Sequence, residues 1–226
     1  MTAHLLDRPI WNALAGRHAG FALGNMLARR YRADISPFAA ARDDSPEALS
    51  ALKGLLPGEG GLVLLEARDI PIPPGTIVEK RSTGVQMIAG RLPPPIADDR
   101  VVALDGADAT EMLALATLTE PGPFLAHTYA FGGFIGIRID GRLAAMAGER
   151  LKPDGFAEVS GVCTHPDFRG RGLAGRLSAI VASRIAARGE TPFLHAYATN
   201  SAAIRLYEAL GFRVRTEVTV IVLRRS

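Results

Sequence analysis

Residues 162–174 read Val-Cys-Thr-His-Pro-Asp-Phe-Arg-Gly-Arg-Gly-Leu-Ala, and this stretch decides the fold of the chain around it. It begins at the end of an apolar run that predicts a strand over 156–164. It leads into an amphipathic pattern that predicts a helix over 173–188, with Leu177, Val181 and Ile185 on one face. The first N–H groups of a helix favour anions, and glycines let a phosphate approach the backbone. The turn is therefore a candidate phosphate-binding loop, unless its glycines only shape a tight turn.

Two common phosphate-binding patterns do not fit this turn. A dinucleotide fingerprint should follow its strand directly, but residues 165–168 intervene. The acidic residue expected at the end of the next strand is also missing, because residues 196–198 are Ala-Tyr-Ala. A P-loop needs lysine and a hydroxyl residue, where this chain has Arg176 and Leu177. These residues exclude both a dinucleotide-binding fingerprint and a P-loop at this turn.

A third pattern, R/Q-x-x-G-x-G/A, matches residues 169–174, with Ala174 in place of the commoner glycine. Residues 200–212, Asn-Ser-Ala-Ala-Ile-Arg-Leu-Tyr-Glu-Ala-Leu-Gly-Phe, match a second signature, N-x-x-A-x-x-x-Y-x-x-x-G-F. With both signatures, residues 100–226 resemble the GNAT superfamily of acyl-CoA N-acyltransferases, most closely its glycine N-acyltransferase-like branch. The resemblance implies that acetyl-CoA (coenzyme A) is the cofactor. It also implies transfer of the acetyl group to a primary amine by direct attack in a ternary complex.

The resemblance implies a role for each matching residue. Residues of three segments are implied to bind the cofactor. The loop Arg169, Gly170, Arg171, Gly172, Leu173 and Ala174 would bind the pyrophosphate, and the strand residues Val162, Cys163 and Thr164 would hold the pantetheine arm. Asn200 and Ala203 would line the other side of the arm, with Tyr207 beside them. Tyr207 matches the residue that protonates the departing thiolate, although an aromatic side chain there could simply pack against the last strand.

A base must remove a proton from the amine, because a lysine-like amine has a pKa of about 10.4. Glu158 is the best candidate, since it lies on the strand that enters the turn, at the base position of some family members. Alternation along the strand places Ser160 and Val162 on its face. The alternative is a surface carboxylate at the start of a strand.

Composition and spacing argue against several other classes. The net charge of +3 is dispersed, with its densest cluster at residues 29–32, so we expect no nucleic-acid partner. No apolar run of about 18 residues predicts a membrane span, and no secretory segment begins the chain. The single cysteine, Cys163, suggests a cytoplasmic protein and is expected to be buried rather than nucleophilic. His127 and His195 lack metal-ligand spacing, so we expect no metal.

Two proline clusters, at 71–74 and 93–95, punctuate the chain. We place a domain boundary at the second. Residues 1–92 are then an N-terminal α/β domain of unknown role, for which one interpretation is a degenerate GNAT-like half that closes the acceptor site. Residues 98–226 are the GNAT acetyltransferase domain. In the first domain, the periodicity predicts helices over 9–31 and 46–56 and strands over 62–66 and 85–89. The glycines at 16, 20 and 24 either break the first helix or let another backbone pack closely.

The second domain shows a more regular pattern. Strands are predicted over 101–104, 134–139, 143–149, 156–164, 192–198 and 218–223, with a hairpin turn at Asp140-Gly141. Helices are predicted over 110–118, 173–188 and 202–210. This order predicts an α/β (α+β) fold, with a mixed, mostly antiparallel central sheet flanked by helices and a smaller N-terminal α/β unit.

Other functions stay open at this point. The main alternative is a catalytically inactive acyl-CoA-binding sensor or interaction protein, whose N-terminal segment would carry the output. A further alternative is a longer acyl donor, or glycine as the acceptor. The acceptor is otherwise a small-molecule or peptide amine, and both a monomer and a homodimer are compatible with the sequence.

Overall fold

The main structural element is an eight-stranded sheet. The structure is a computed structural model that describes residues 4–92 and 97–226. From one edge to the other, the strands are β4 (Leu62–Glu66), β11 (Phe212–Arg225), β5 (Thr76–Ala89), β10 (Thr191–Tyr197), β9 (Phe156–Thr164), β8 (Arg142–Glu149), β7 (Ile135–Ile139) and β6 (Val101–Ala103). Neighbouring strands are antiparallel, except β9 and β10, which are parallel. The predicted mixed, mostly antiparallel sheet is confirmed.

Helices cover both faces of this sheet, and a small sheet adjoins it. The helices are α1 (Pro9–Ala15), α2 (Pro46–Gly54), α3 (Ala109–Thr119), α4 (Leu173–Ala187) and α5 (Ser201–Ala209); the small sheet has β1 (Ala22–Gly24), β2 (Ala28–Tyr31) and β3 (Ala39–Ala41). Helix α4 buries Leu177, Val181 and Ile185 in a core shared with β8 and β9. Within the described ranges, no helix is long and apolar enough to cross a lipid bilayer.

Local sequence signals account for several element boundaries. The Ser45 hydroxyl accepts a hydrogen bond from the N–H of Ala48 at 3.3 Å, which caps α2 as predicted. The turn between β7 and β8 has φ of +52° at Asp140 and +78° at Gly141, the backbone that a two-residue hairpin favours.

The helix predicted over 9–31 is wrong beyond Ala15. Gly16 ends α1 with φ −112° and ψ −115°, far from helical values. Gly24 has φ +119°, and a Cβ there would lie 2.3 Å from the carbonyl oxygen of Ala28, so only glycine permits the turn between β1 and β2. The glycines break the helix, and the remaining apolar residues enter a three-residue helical turn and two strands.

Strands from both sides of the predicted domain boundary share the main sheet. Strand β5 lies between β10 and β11, with Ile88 opposite Phe193 on one side and Gly84 opposite Val218 on the other. The proline run at 93–95, where we placed the boundary, lies outside the described residues. The division at residues 92 and 98 therefore stays a prediction, but the main sheet is continuous across it. A chain beginning at residue 98 would lack the strand between β10 and β11.

Candidate functional site

Strands β9 and β10 separate partway along the sheet. Their parallel pairing begins at Phe156 and Thr191 and ends where Glu158 lies opposite Phe193. Beyond that point β10 remains paired with β5, and β9 remains paired with β8. The facing edges of the two strands are therefore open, and the gap leads toward the N-terminus of α4.

A bulge in β9 contributes to this opening. Gly161 has φ +62°, and the pairing of β9 with β8 changes register beside it. The bulge reverses the alternation of side chains. Val162 packs against the core beneath α4, beside Val159, whereas Glu158 lies on the opposite face. The expectation that Val162 shares a face with Glu158 is therefore wrong.

The turn before α4 presents a row of backbone donors. Gly170 and Gly172 have φ of +76° and +70°, and a Cβ on either would meet no atom within 4 Å. In the described part of the chain, the N–H groups of residues 170–175 have no protein acceptor, while that of Arg169 donates to the Pro166 carbonyl at 3.3 Å. No side chain caps this end of the 15-residue helix. The turn can therefore receive an anion, with the helix dipole contributing.

A groove of about 640 Å³ runs from this turn into the gap between β9 and β10. All the predicted cofactor-binding residues except Tyr207 line it: Val162, Cys163, Thr164, Arg169, Gly170, Arg171, Gly172, Leu173, Ala174, Asn200 and Ala203. The close packing of α4 on α5 forms one end, since a Cβ on Gly175 would lie 2.9 Å from Leu206. The predicted roles of these residues stay predictions, but the fold brings the residues together.

A second cavity, of about 290 Å³, adjoins the groove. Val162, Asn200 and Ala203 line both spaces, so the two meet at the open strand edge. Tyr207 belongs to the second cavity. A long ligand in the groove can therefore present its end to a second molecule beside Tyr207.

Tyr207 lies on α5 and is almost fully buried, at 9% exposure. Burial, together with the nearby negative charge of Glu158, raises the pKa of Tyr207 to about 12. The hydroxyl therefore keeps its proton at neutral pH. Its ring also packs edge-on near Phe212, at 6.2 Å between centroids, so packing and proton donation are compatible roles.

Glu158 is completely buried and is held by several donors. The guanidinium of Arg150 donates to both of its carboxylate oxygens, at 2.9 and 2.7 Å, and the N–H of Leu151 donates at 3.2 Å. Nδ1 of His195 lies 2.8 Å from Oε1. Burial would raise the pKa of Glu158, but the charges and hydrogen bonds of Arg150 and His195 outweigh burial and hold this pKa well below its usual value. A carboxylate so stabilised is a weak proton acceptor.

Sequence reasoning missed the partners of Glu158. His195 bridges Glu158 to Gln86, whose side-chain nitrogen lies 3.0 Å from Nε2 of the imidazole. Gln86 also donates to the carbonyl of Leu6 at 2.8 Å, which connects this cluster to the N-terminal segment. The sequence does contain a signal for these partners, because polar residues occur at 86, 150 and 195 inside or directly after apolar strand segments.

Two other predicted site residues have clear local roles. The side-chain oxygen of Asn200 accepts from the N–H of Ala203 at 3.1 Å and so caps α5 at the mouth of the groove. Burial raises the pKa of Cys163 to about 11, and this thiol contacts the Gly161 carbonyl at 3.6 Å. A protonated, buried thiol is a poor nucleophile.

Comparisons with known proteins agree with this geometry. A family model described as FR47-like protein matches residues 134–221. A structure described as an acetyltransferase of the GNAT family, from Novosphingobium aromaticivorans DSM 12444, is 48% identical, covers 99% of this chain and 100% of its own, and has a TM-score of 0.93. A search of curated proteins found no significant match.

More distant structures share the fold. A GCN5-related N-acetyltransferase from Kribbella flavida is 20% identical over 95% of each chain, with a TM-score of 0.63. A GCN5-related N-acetyltransferase-like protein from Streptococcus suis 89/1591 is 15% identical, covers 96% of this chain and 92% of its own, and has a TM-score of 0.60. Because the Novosphingobium protein is 48% identical over nearly the whole length, this chain belongs to the GNAT family of acetyltransferases.

Proposed function

We propose that the protein transfers an acetyl group from acetyl-CoA to a primary amine, by direct attack within a ternary complex. The observation that carries the proposal is the row of unengaged N–H groups at residues 170–175, beside an open strand edge. Acetyltransferases of the GNAT family use acetyl-CoA, and a diphosphate with a long pantetheine arm matches this combination of an anion site and an extended groove.

The residues that line the groove fit such a cofactor. The N–H groups of residues 170–174 would bind the diphosphate, and the absence of Cβ atoms on Gly170 and Gly172 leaves space for its oxygens. The open edge of β9 at residues 162–164 would hold the pantetheine amides. Bound there, the cofactor supplies an activated acetyl thioester. The N–H group of Thr164, which points away from β8 into the gap, is the candidate to stabilise a negative carbonyl oxygen.

Tyr207 is proposed as the hydrogen-bond donor to the departing thiolate, at the position for which the resemblance implied a proton donor. It lines the cavity where the groove ends, and it is protonated at neutral pH because its pKa is raised. A thiol has a pKa of about 8.5, well below that of Tyr207, so the hydroxyl would stabilise the departing thiolate by donating a hydrogen bond while keeping its proton. The hydroxyl therefore stabilises a charge that develops only as the thioester breaks.

The proton of the amine needs a different acceptor from the one first expected. Glu158 is occupied by Arg150 and His195, so we assign it a positioning role. Glu120 lines the second cavity and has no ion-pair partner within the described residues. Its backbone is left-handed, with φ +48° and ψ +54°, an uncommon conformation that ends α3 beside the cavity. Glu120, directly or through water, is the proposed base.

Thiol release from acetyl-CoA in the presence of a panel of primary amines tests the proposal. Wild-type protein should turn over at least one amine. Glu120→Gln should lower kcat by about tenfold or more, since a general base contributes at least that much. Glu208→Gln, an exposed carboxylate on α5 outside both cavities, is the matched control and should leave kcat unchanged.

The outcomes separate the parts of this proposal. Absence of amine-dependent thiol release with every amine would refute the transferase function. Turnover with equal kcat in wild type and Glu120→Gln would refute the base assignment alone. No feature of the described residues favours the catalytically inactive alternative. The glycine N-acyltransferase-like branch stays a prediction, which a comparison of acyl donors and acceptors tests.

A further inference from the structure

One wall of the second cavity is apolar. Side chains from β4 and β11 form it, and a ring from the segment before β3 completes it: Val63, Leu65, Val218, Val220, Val222 and Phe38. These side chains give an acceptor's hydrocarbon part a surface on which to be buried. The cavity therefore does not resemble a site for a highly hydroxylated or polycationic amine.

A buried guanidinium interrupts this apolar surface. Arg150 borders the cavity and is 9% exposed. Its Nε and Nη2 atoms donate to Glu158, and its Cζ atom lies over the ring of Phe38, 4.9 Å from the ring centroid. These contacts fix the orientation of the group.

The donors of Arg150 are only partly used. A guanidinium has five N–H bonds, and the two hydrogen bonds to Glu158 leave three of them: both on Nη1 and one on Nη2. No acceptor for Nη1 exists in the described ranges of the chain. The cleft on the other side of Arg150 is only about 10 Å³, enough for one water at most. A buried cation with open donors beside a cavity is costly unless a ligand completes its hydrogen bonds.

A carboxylate is the ligand group that matches such donors. Its two oxygens accept charge-assisted hydrogen bonds from the planar fork of an arginine. Lys80 adds a second positive charge to the lining, and Glu120 supplies the opposite charge. A cavity with both signs of charge and an apolar wall is complementary to a molecule with a carboxylate, an ammonium group and a hydrocarbon skeleton.

We infer that the acceptor is an amino acid with an apolar skeleton, whose carboxylate is bound by Arg150. Its hydrocarbon part lies along the valine-rich wall, and its amino group points to the junction formed by Val162, Asn200 and Ala203. The inference rests on the proposed acetyl transfer and specifies its acceptor. Arg150 is thus a substrate-binding residue, and Glu158 positions it.

The test uses the wild-type protein and matched acceptors. Leucine is compared with leucinamide and 3-methylbutylamine, and 6-aminohexanoate with hexylamine, at saturating acetyl-CoA. Values of kcat/KM are expressed per unprotonated amine, because these amines differ in pKa. The carboxylate-bearing member of at least one series should be preferred by about ten- to a hundredfold, the usual contribution of a hydrogen bond to a charged group.

A variant pair identifies the residue responsible. Arg150→Lys keeps a positive charge for Glu158 but lacks the second planar donor, so the preference for the carboxylate-bearing acceptor should fall toward one. Arg213→Lys, an exposed arginine outside both cavities, should retain the wild-type preference. Because the preference is a ratio of two substrates on one protein, a partial loss of folded enzyme does not change it.

Each outcome decides the inference. A preference in wild type that falls in Arg150→Lys supports it. Equal or higher kcat/KM for the amines without a carboxylate overturns the inference and leaves acetyl transfer intact. A preference that persists unchanged in Arg150→Lys overturns the assignment to Arg150. If no amine in either series or in the wider panel is acetylated, the proposed function fails, and the inference fails with it.

Discussion

Replacing Gly172 by alanine tests whether the turn before α4 binds a diphosphate. Gly172 has φ +70°, and its Cβ would enter open space, so the free protein loses only the backbone preference of glycine. That loss is about 1 kcal/mol after the smaller entropy of the unfolded chain is counted. For a chain of this size, it lowers Tm by about 2–4 °C. The folded structure should therefore remain.

The effect on cofactor binding should be larger, because the new methyl group occupies the space that a phosphate needs to reach the N–H groups. Loss of one hydrogen bond to a charged group costs about 1.5–3 kcal/mol, equivalent to a rise in Kd of about 10- to 150-fold. Calorimetric titration with coenzyme A measures this Kd, and differential scanning fluorimetry measures Tm.

Gly189 provides a matched control at the other end of α4. It has φ +79° and equally open surroundings, so Gly189→Ala should lower Tm by a similar amount. It lies outside the groove and should leave the Kd of coenzyme A unchanged. If Gly172→Ala and Gly189→Ala bind coenzyme A equally well, the diphosphate is not held at this turn, and the proposed cofactor geometry is incorrect.

Three further predictions concern catalysis, stability and the domain boundary. Tyr207→Phe should lower kcat about tenfold or more while changing the KM for acetyl-CoA less than twofold, and steady-state kinetics measures both. Because the pKa of Tyr207 is raised to about 12, ionisation of this hydroxyl should cause no loss of wild-type activity between pH 7 and about 10. Glu158→Gln should destabilise the protein by about 3–5 kcal/mol at pH 7 in urea unfolding, because Arg150 loses its buried partner. Because the pKa of Glu158 is lowered in the folded protein, its contribution to the free energy of unfolding is complete above the unfolded-state pKa of about 4.3 and is lost as the pH falls toward the folded-state pKa. The difference in the free energy of unfolding between wild type and Glu158→Gln should therefore shrink in acid. A difference that stays constant with pH would contradict this account. A chain starting at residue 98 should show no cooperative thermal unfolding, because it lacks β5; a cooperative transition would instead support a separate C-terminal domain.

The residues that line the groove could be grouped from sequence because nearly all of them lie in two short segments. Residues 162–174 connect β9 to α4, and residues 200–207 begin α5. The spacing within each segment therefore nearly determines which of its backbone groups line the groove. Local spacing also correctly predicted the hairpin at Asp140 and the cap at Ser45. The helix predicted over 9–31 failed after Gly16, because periodicity alone does not show whether a glycine breaks a helix or permits close packing.

The residues of the second cavity could not be grouped in the same way. Phe38, Val63 and Val218 are far apart in sequence and meet because Phe38 forms a bridge with Val63 and β4 pairs with β11. Such long-range pairing leaves no local spacing signal. For Glu158, the sequence indicated a strand position but not the partners. The charge of Arg150 and the hydrogen bond of His195 make this candidate base a weak proton acceptor.

This separation along the chain has a functional consequence. The groove takes its lining entirely from residues 119–206, whereas residues 38–84 and 218–222 supply most of the apolar wall of the second cavity. Substitutions on β4 or at Phe38 can therefore reshape the second cavity while the turn before α4 keeps all its free N–H groups. The Leu6 carbonyl also receives a hydrogen bond from Gln86, which contacts His195. Under the proposed function, the N-terminal segment would therefore determine which amine is accepted without altering which acyl donor is held.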